Sequence, residues 1–190
     1  MKTYDGVLSA EECRRVITKY EEDSRKVAST VSAEALAIDP EWRKGDELAV
    51  MGVPGWEEED KLFSRLVSEG FSKYKADLGA LQYVKSDVRD FKYKLQRTTK
   101  GDYYRWHTDE TAILAQGRLY ARAVTFILYL NEGFSGGRTQ FFPPSVESVE
   151  PKTGRMLFFP ANVMYPHQCE LVSTGTKYIM TGWLYNPLSL

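Results

Sequence analysis

The chain has 190 residues with 43% hydrophobic and 27% charged, ordinary globular values for one well-filled core and short for two. Its formal net charge of −1 comes with no basic face, so neither nucleic acid nor an anionic membrane is expected as a partner. Cys13 and Cys169, the only cysteines, exclude a disulfide framework and fit a reducing compartment. The opening "MKTYDGVLSAEE" has no apolar run of signal-peptide length, and no stretch reaches a membrane span, so the expectation is a cytoplasmic protein.

No repeat, low-complexity tract or linker divides the sequence, which predicts a single domain over 1–190. Residues 1–87 read as mostly helical support with an irregular segment. Ser9 and Glu12 form a capping-box pattern before "EECRRVITKYEEDSRK", where Cys13, Val16, Ile17 and Tyr20 recur at helical spacing. A second helix is expected over about 57–79, opened by Glu57-Glu58-Glu59-Asp60, which complements the helix dipole. Between them "AIDPEWRKGDELAVMGVPGW" is rich in proline and glycine and predicts irregular structure.

From about Val88 the texture changes. The segments "VRDFKYKLQRT", "RAVTFILYLN", "RTQFFP", "RMLFFPANVMYPHQ" and "KYIMTGWLYN" are aromatic and β-branched, with turn signals between them. So many short strands predict an antiparallel jelly roll over 88–190, with the helices on an outer face. The fold class is α+β.

The chain has two histidines, His107 and His167. If "YYRWHTDE" is extended, His107 and Asp109 share a face and Thr108 points away. An isolated H-x-D is most often incidental, but His167 offers a third ligand. Two histidines and a carboxylate fit the facial triad of non-haem Fe(II) oxygenases; the same donors can hold zinc with a water. On the strand starting at Lys177, alternation places Lys177, Ile179, Thr181 and Trp183 together. An inward lysine needs an anion, which near a metal suggests a carboxylate cosubstrate. In "RAVTFILYLN", Val124, Phe126, Leu128 and Leu130 read as core, while Thr125, Ile127, Tyr129 and Asn131 form a mixed, pocket-like face. The Tyr129 hydroxyl is either a second donor to that anion or a core group bonded to backbone.

Together these residues resemble a 2-oxoglutarate/Fe(II)-dependent dioxygenase of the prolyl 4-hydroxylase-like group. The resemblance rests on "GDYYRWHTD", "RAVTFILYLNEGFSGGRTQFF", "VEPKTGRMLFFP", "YPHQCELVSTGTKY", Trp183 and the opening "YDGVLSAEECRRVI", and is weakest over about 25–85. It implies a double-stranded β-helix core, with Fe(II) held by His107, Asp109 and His167. It implies 2-oxoglutarate bound by Lys177 and Tyr129, with Thr181 and Trp183 lining the pocket and Arg122 facing the substrate. Gly136 and Gly137 would shape a strand turn. The group often has Tyr-x-x-Gly before the H-x-D; Thr98 stands there in this chain, with Tyr103 or Tyr104 as substitutes. Tyr104 joins Arg122 and Trp183 as the candidate substrate residues.

The implied reaction consumes O2 and 2-oxoglutarate, with ascorbate as a possible helper, and yields succinate, CO2 and a hydroxylated C–H. The protein then supplies orientation and exclusion of water, and 110–121 is a candidate lid or finger. The expected substrate is a prolyl residue of a peptide or protein. The alternatives are a free amino acid or other small molecule, and, in other classes, a non-catalytic metal-binding module or a zinc hydrolase. The anchor at Lys177 argues against the hydrolase.

Overall fold

The structure is a computed structural model and describes residues 1–31, 38–79, 88–142 and 147–188. Near the N-terminus lie β1 (Lys2–Tyr4), α1 (Ala10–Glu22), β2 (Val27–Ala28), β3 (Asp46–Ala49) and α2 (Glu57–Asp77). The β-rich part follows with β4 (Arg89–Thr99), β5 (Tyr104–His107), β6 (Ala112–Ala115), β7 (Arg118–Tyr129), β8 (Ser135–Gly136) and β9 (Thr139–Phe141). It continues through β10 (Glu147–Val149), β11 (Met156–Pro160), β12 (His167–Cys169), β13 (Val172–Thr174) and β14 (Thr176–Pro187).

An eight-stranded antiparallel sheet runs β1-β11-β7-β14-β4-β3-β2, with β6 paired to β7. A smaller antiparallel sheet runs β10-β9-β12-β5. This is the jelly-roll core of the α+β fold expected from the strand texture. The first half differs from its mostly helical reading, because β1, β2 and β3 all join the large sheet. In "DELA" at β3 no β-branched residue signals a strand. Pairing with β4, from Asp46 opposite Arg97 to Ala49 opposite Lys94, makes it one.

Period-two alternation sorts the side chains of the large sheet into two cores. On one face Val124, Phe126, Leu128 and Leu130 of the β7 segment join Met156 and Phe158 of β11 and Met180 of β14. Cys13, Val16 and Tyr20 of α1 and Phe63, Leu66, Val67 and Tyr74 of α2 close over them. The expected capping box is present, with the Ser9 hydroxyl accepting from the Glu12 N–H and the Glu12 carboxylate from the Ser9 N–H. Helix α2 lies close on the sheet at Gly70, where a Cβ would come within 2.9 Å of the Phe158 ring. The other face carries Ile127, Tyr129, Leu157, Phe159 and Ile179, packed with Phe141 and Val149 of the smaller sheet. This second core is the interior of the jelly roll, and the site lies at its edge.

Residues 112–121 form a β-hairpin with β7 rather than a loop, turning at Gln116 and Gly117, both at positive φ. Leu114 projects from it, 76% exposed.

Candidate metal centre

Strands β5 and β12 are antiparallel neighbours, and their register sets His107 directly opposite His167. The ring centroids are 4.2 Å apart. His107 is the last residue of β5, and His167 opens β12 rather than closing the preceding strand. Asp109 lies beyond the end of β5, so strand alternation does not position it. Its carboxylate is held instead by the Thr125 hydroxyl, which donates to Oδ2 at 2.7 Å from the inner face of β7. The three side chains offer ligand atoms that all fall within 4.8 Å of one another.

Each imidazole has its Nδ1 at a backbone carbonyl two residues upstream: His107 at Arg105 O, 2.8 Å, and His167 at Tyr165 O, 3.1 Å. Donation from Nδ1–H leaves the Nε2 lone pair for a cation. Both Nε2 atoms face Asp109, His107 at 3.8 Å from Oδ1 and His167 at 3.6 Å from Oδ2. Burial first, and then the adjacent His167, hold the His107 pKa well below its ordinary value, so the ring is neutral. Burial pushes the Asp109 carboxyl upward, but His167, His107, Thr125 and Trp183 together bring it below the usual carboxylate range. The result is a buried carboxylate whose ion-pair partners, among the described residues, are imidazoles alone. A divalent cation fits that donor set and its charge.

Lys177 sits in β14, 2% exposed. Its Nζ donates to Gly137 O at 2.6 Å and to Cys169 Sγ at 3.4 Å, and lies 5.6 Å from the centre of the Tyr129 ring. No carboxylate lies within ion-pair distance of it among the described residues, so its direct contacts are all neutral, with Glu170 acting only from farther off. That is costly without an anion. Tyr129 is fully buried, its hydroxyl hydrogen-bonded to Thr139 Oγ1 at 2.7 Å.

A family model for the 2OG-Fe(II) oxygenase superfamily matches residues 93–185, which hold all three candidate ligands and Lys177. That stretch, just under half of the chain, is similar to a 2OG-Fe(II) oxygenase domain. The family's cofactors are Fe(II), 2-oxoglutarate and O2. Proteins named 2-oxoglutarate and iron-dependent oxygenase domain-containing protein 3, from Xenopus tropicalis and Homo sapiens, are each 30% identical over 86 residues. That match takes in 45% of this chain and 26% of each relative, so the chain aligns with about a quarter of their length. Among solved structures, a Trichoplax adhaerens prolyl hydroxylase in complex with a hypoxia inducible factor oxygen degradation domain peptide fragment superposes with TM-score 0.75. It shares 19% identity over 97% of this chain and 83% of that one. A Pseudomonas putida prolyl-4-hydroxylase gives 0.69 with 20% identity over 97% and 91%. A viral collagen prolyl hydroxylase from Paramecium Bursaria Chlorella virus-1 gives 0.66 with 22% over 97% and 95%. At these identities the likeness is one of fold.

The matched region gathers most of the residues singled out in the sequence. Thr181 is buried, but its hydroxyl donates to Phe126 O at 2.9 Å. Trp183 lies beside Asp109, its buried Nε1 among the groups that lower the carboxyl. Arg122 stacks on the Trp183 ring at 3.5 Å and donates to Asp109 O and the Tyr185 hydroxyl, each at 3.2 Å. Tyr104 stacks on His107 at 3.6 Å. Tyr103 points elsewhere, its hydroxyl donating to Pro40 O and Glu41 O; of the two substitutes for the missing motif tyrosine, Tyr104 alone reaches the triad. Gly136 and Gly137 both have positive φ, and a Cβ on Gly136 would overlap Leu171 O at 2.1 Å. That close approach needs glycine.

Sequence reasoning missed Thr139 and Cys169, and read Thr125 only as a pocket-facing strand residue. It also missed Arg43, Glu47 and Lys94, which surround Tyr104 and Trp183.

Proposed function

We propose that this chain hydroxylates a C–H bond of prolyl residues in a peptide or protein, consuming O2 and 2-oxoglutarate and forming succinate and CO2. The observation that carries the reading is the pairing of a buried His107–Asp109–His167 cluster with a buried lysine whose hydrogen bonds, among the described residues, go to neutral groups. His107, Asp109 and His167 would hold Fe(II), and Lys177, with Tyr129 and Thr139, would hold the distal carboxylate of 2-oxoglutarate. When bound, the iron supplies the oxidising chemistry.

The protein's own part is placement. Thr125 orients the Asp109 carboxylate, the two backbone carbonyls fix the imidazole tautomers, and each restricts the ligands to one productive arrangement. Phe141, Phe159, Ile127 and Ile179 surround the interior with apolar surface and keep bulk water out. Trp183, Arg122 and Tyr104 would form the wall on which substrate rests, and the hairpin of residues 112–121, which runs into the strand carrying Arg122, would serve as a finger. Folds shared with prolyl hydroxylases, one of them holding a peptide, support the substrate class. Cys13 and Cys169 are both free thiols, which supports a reducing, cytoplasmic setting. No helix among the described residues is long and apolar enough to cross a membrane.

The test is succinate formation by the chain with Fe(II), ascorbate and 2-oxoglutarate, followed by mass spectrometry of the substrate. A proline-containing peptide should stimulate succinate release and gain one oxygen atom. Turnover with free amino acids and none with any peptide would sink the peptide reading.

A further inference from the structure

Side chains near the triad close into a ring that starts at one candidate ligand and ends at another. His107 stacks on Tyr104, and Arg43 lies over the Tyr104 ring, 4.6 Å from its centroid. Arg43 pairs with Glu47 at 3.1 Å, and Glu47 pairs with Lys94 at 2.7 Å. Lys94 lies 5.9 Å from the centre of the Trp183 ring, Arg122 stacks on that ring, and Arg122 donates to Asp109 O. Tyr104, Arg122 and Trp183 are partly exposed and the Lys94 side chain keeps 17% exposure, so the ring has a face toward solvent.

The charges of this ring do not balance. Arg43, Lys94 and Arg122 are three cations, and among the described residues Glu47 is the one carboxylate outside the triad that pairs with them. Glu47 is already occupied by Arg43, Lys94 and the Thr30 hydroxyl. Among the described residues Arg122 has no carboxylate within ion-pair distance: its hydrogen bonds go to a backbone carbonyl and a phenol. Burial, and then Arg43, bring the Lys94 pKa down to about 8, with Arg122 acting in the same direction. Cations so gathered are stabilised by an anion placed among them. Asp109 does not serve, because its carboxylate is turned to the imidazoles and Thr125.

We infer that this ring is a specificity site which selects a substrate carrying a carboxylate close to the C–H that is oxidised, received between Lys94 and Arg122 over Trp183. The inference rests on the hydroxylase reading given above. The carboxylate comes either from an acidic residue beside the target in a peptide or from the α-carboxylate of a free amino acid. Both present the same planar anion to a guanidinium and an ammonium.

The experiment uses the full chain and two matched probe pairs. One pair is a labelled peptide with one proline followed by Asp, and its twin with Asn; the other is L-proline and L-prolinamide. Equilibrium binding is measured by fluorescence anisotropy for the peptides and calorimetry for the small molecules, and succinate release is measured in parallel. The carboxylate member of one pair should bind about tenfold tighter, the size of one charge-assisted hydrogen bond. Lys94→Gln and Arg122→Gln should each cut that ratio to about threefold or less, and Lys94→Arg should restore it. Thermal melts separate a lost preference from lost folding, since Arg43→Gln would leave Glu47 short of a partner. A preference seen only in the proline pair keeps the ring and overturns the peptide reading. A preference in binding with no succinate from any probe keeps the ring and overturns the hydroxylase reading. Equal binding within both pairs overturns the ring.

Discussion

Two lysines on neighbouring strands border the same cluster in opposite electrostatic settings. Lys177 on β14 pairs across the sheet with Thr98, and Lys94 on β4 pairs with Thr181, so they are four residues, about 13 Å of strand, apart. Lys177 is sealed, touching a backbone carbonyl, a thiol and a tyrosine ring. Lys94 is mostly buried but keeps 17% of its side chain exposed, and it shares a carboxylate with an arginine. A sealed cation with neutral neighbours suits one anion of fixed size, which is what a cosubstrate is. A cation inside an open charged ring suits a variable partner, which is what a substrate is. The difference teaches that the two proposed anion sites follow from burial and partner count rather than from lysine as such.

The largest expected effect comes from removing what both sites share. His107→Ala should abolish iron binding and all 2-oxoglutarate turnover, since two remaining ligands do not make the facial arrangement. Anaerobic iron titration checks the first loss and succinate release the second; full iron occupancy in this variant would dismantle the triad assignment. Next comes Lys177→Ala, expected to raise the KM for 2-oxoglutarate by about 10–100-fold, the cost of a lost charge-assisted bond in a buried site. The same variant should leave the ratio of acidic to neutral peptide binding where it was. Lys94→Gln should do the reverse, and a variant that moved both quantities together would merge the two sites into one.

A smaller effect is expected at Thr125. Thr125→Val removes the hydroxyl that donates to Asp109 and should weaken iron binding by roughly tenfold, as partners behind a metal ligand typically do. Iron affinity is the decisive readout, because a purely structural role would lower thermal stability and leave affinity unchanged.

Much of this arrangement is legible in the sequence, and the boundary has a physical cause. The strands after Val88 carry their own alternation, and His107, Asp109, His167 and Lys177 lie in or beside them at informative spacings. The face of β7 that reads as core in the sequence, Val124 through Leu130, is the face that packs on the helices. What was not legible depends on contacts between distant segments. Arg43 and Glu47 belong to a stretch that reads as irregular, and only the pairing of β3 with β4 brings them to Lys94. The position of Asp109 is similar. Alternation suggests the correct company for the wrong reason, because the residue lies past its strand and is fixed by a hydroxyl from β7.

The smallest effect belongs to a charge cluster that serves neither lysine site, and it sets the floor against which their variants are judged. Asp5, just after β1, accepts from Arg155 at 2.6 Å and Lys152 at 2.8 Å on an exposed surface. Arg155 first, and then Lys152, hold its carboxyl well below the usual carboxylate range. A depressed folded-state value means that the stabilisation is complete above the unfolded value of about 3.9 and is lost as pH falls through the lower folded value. Solvent screening keeps it small, about 1 kcal/mol or less at neutral pH. Asp5→Asn should therefore lower stability slightly at pH 7 in urea titrations, and the gap from the parent chain should narrow as the medium is acidified below about pH 4. A gap that widened on acidification would reverse the sign of the assigned shift, while unchanged KM values for 2-oxoglutarate and peptide at pH 7 would show that loss of a surface charge does not by itself disturb either site.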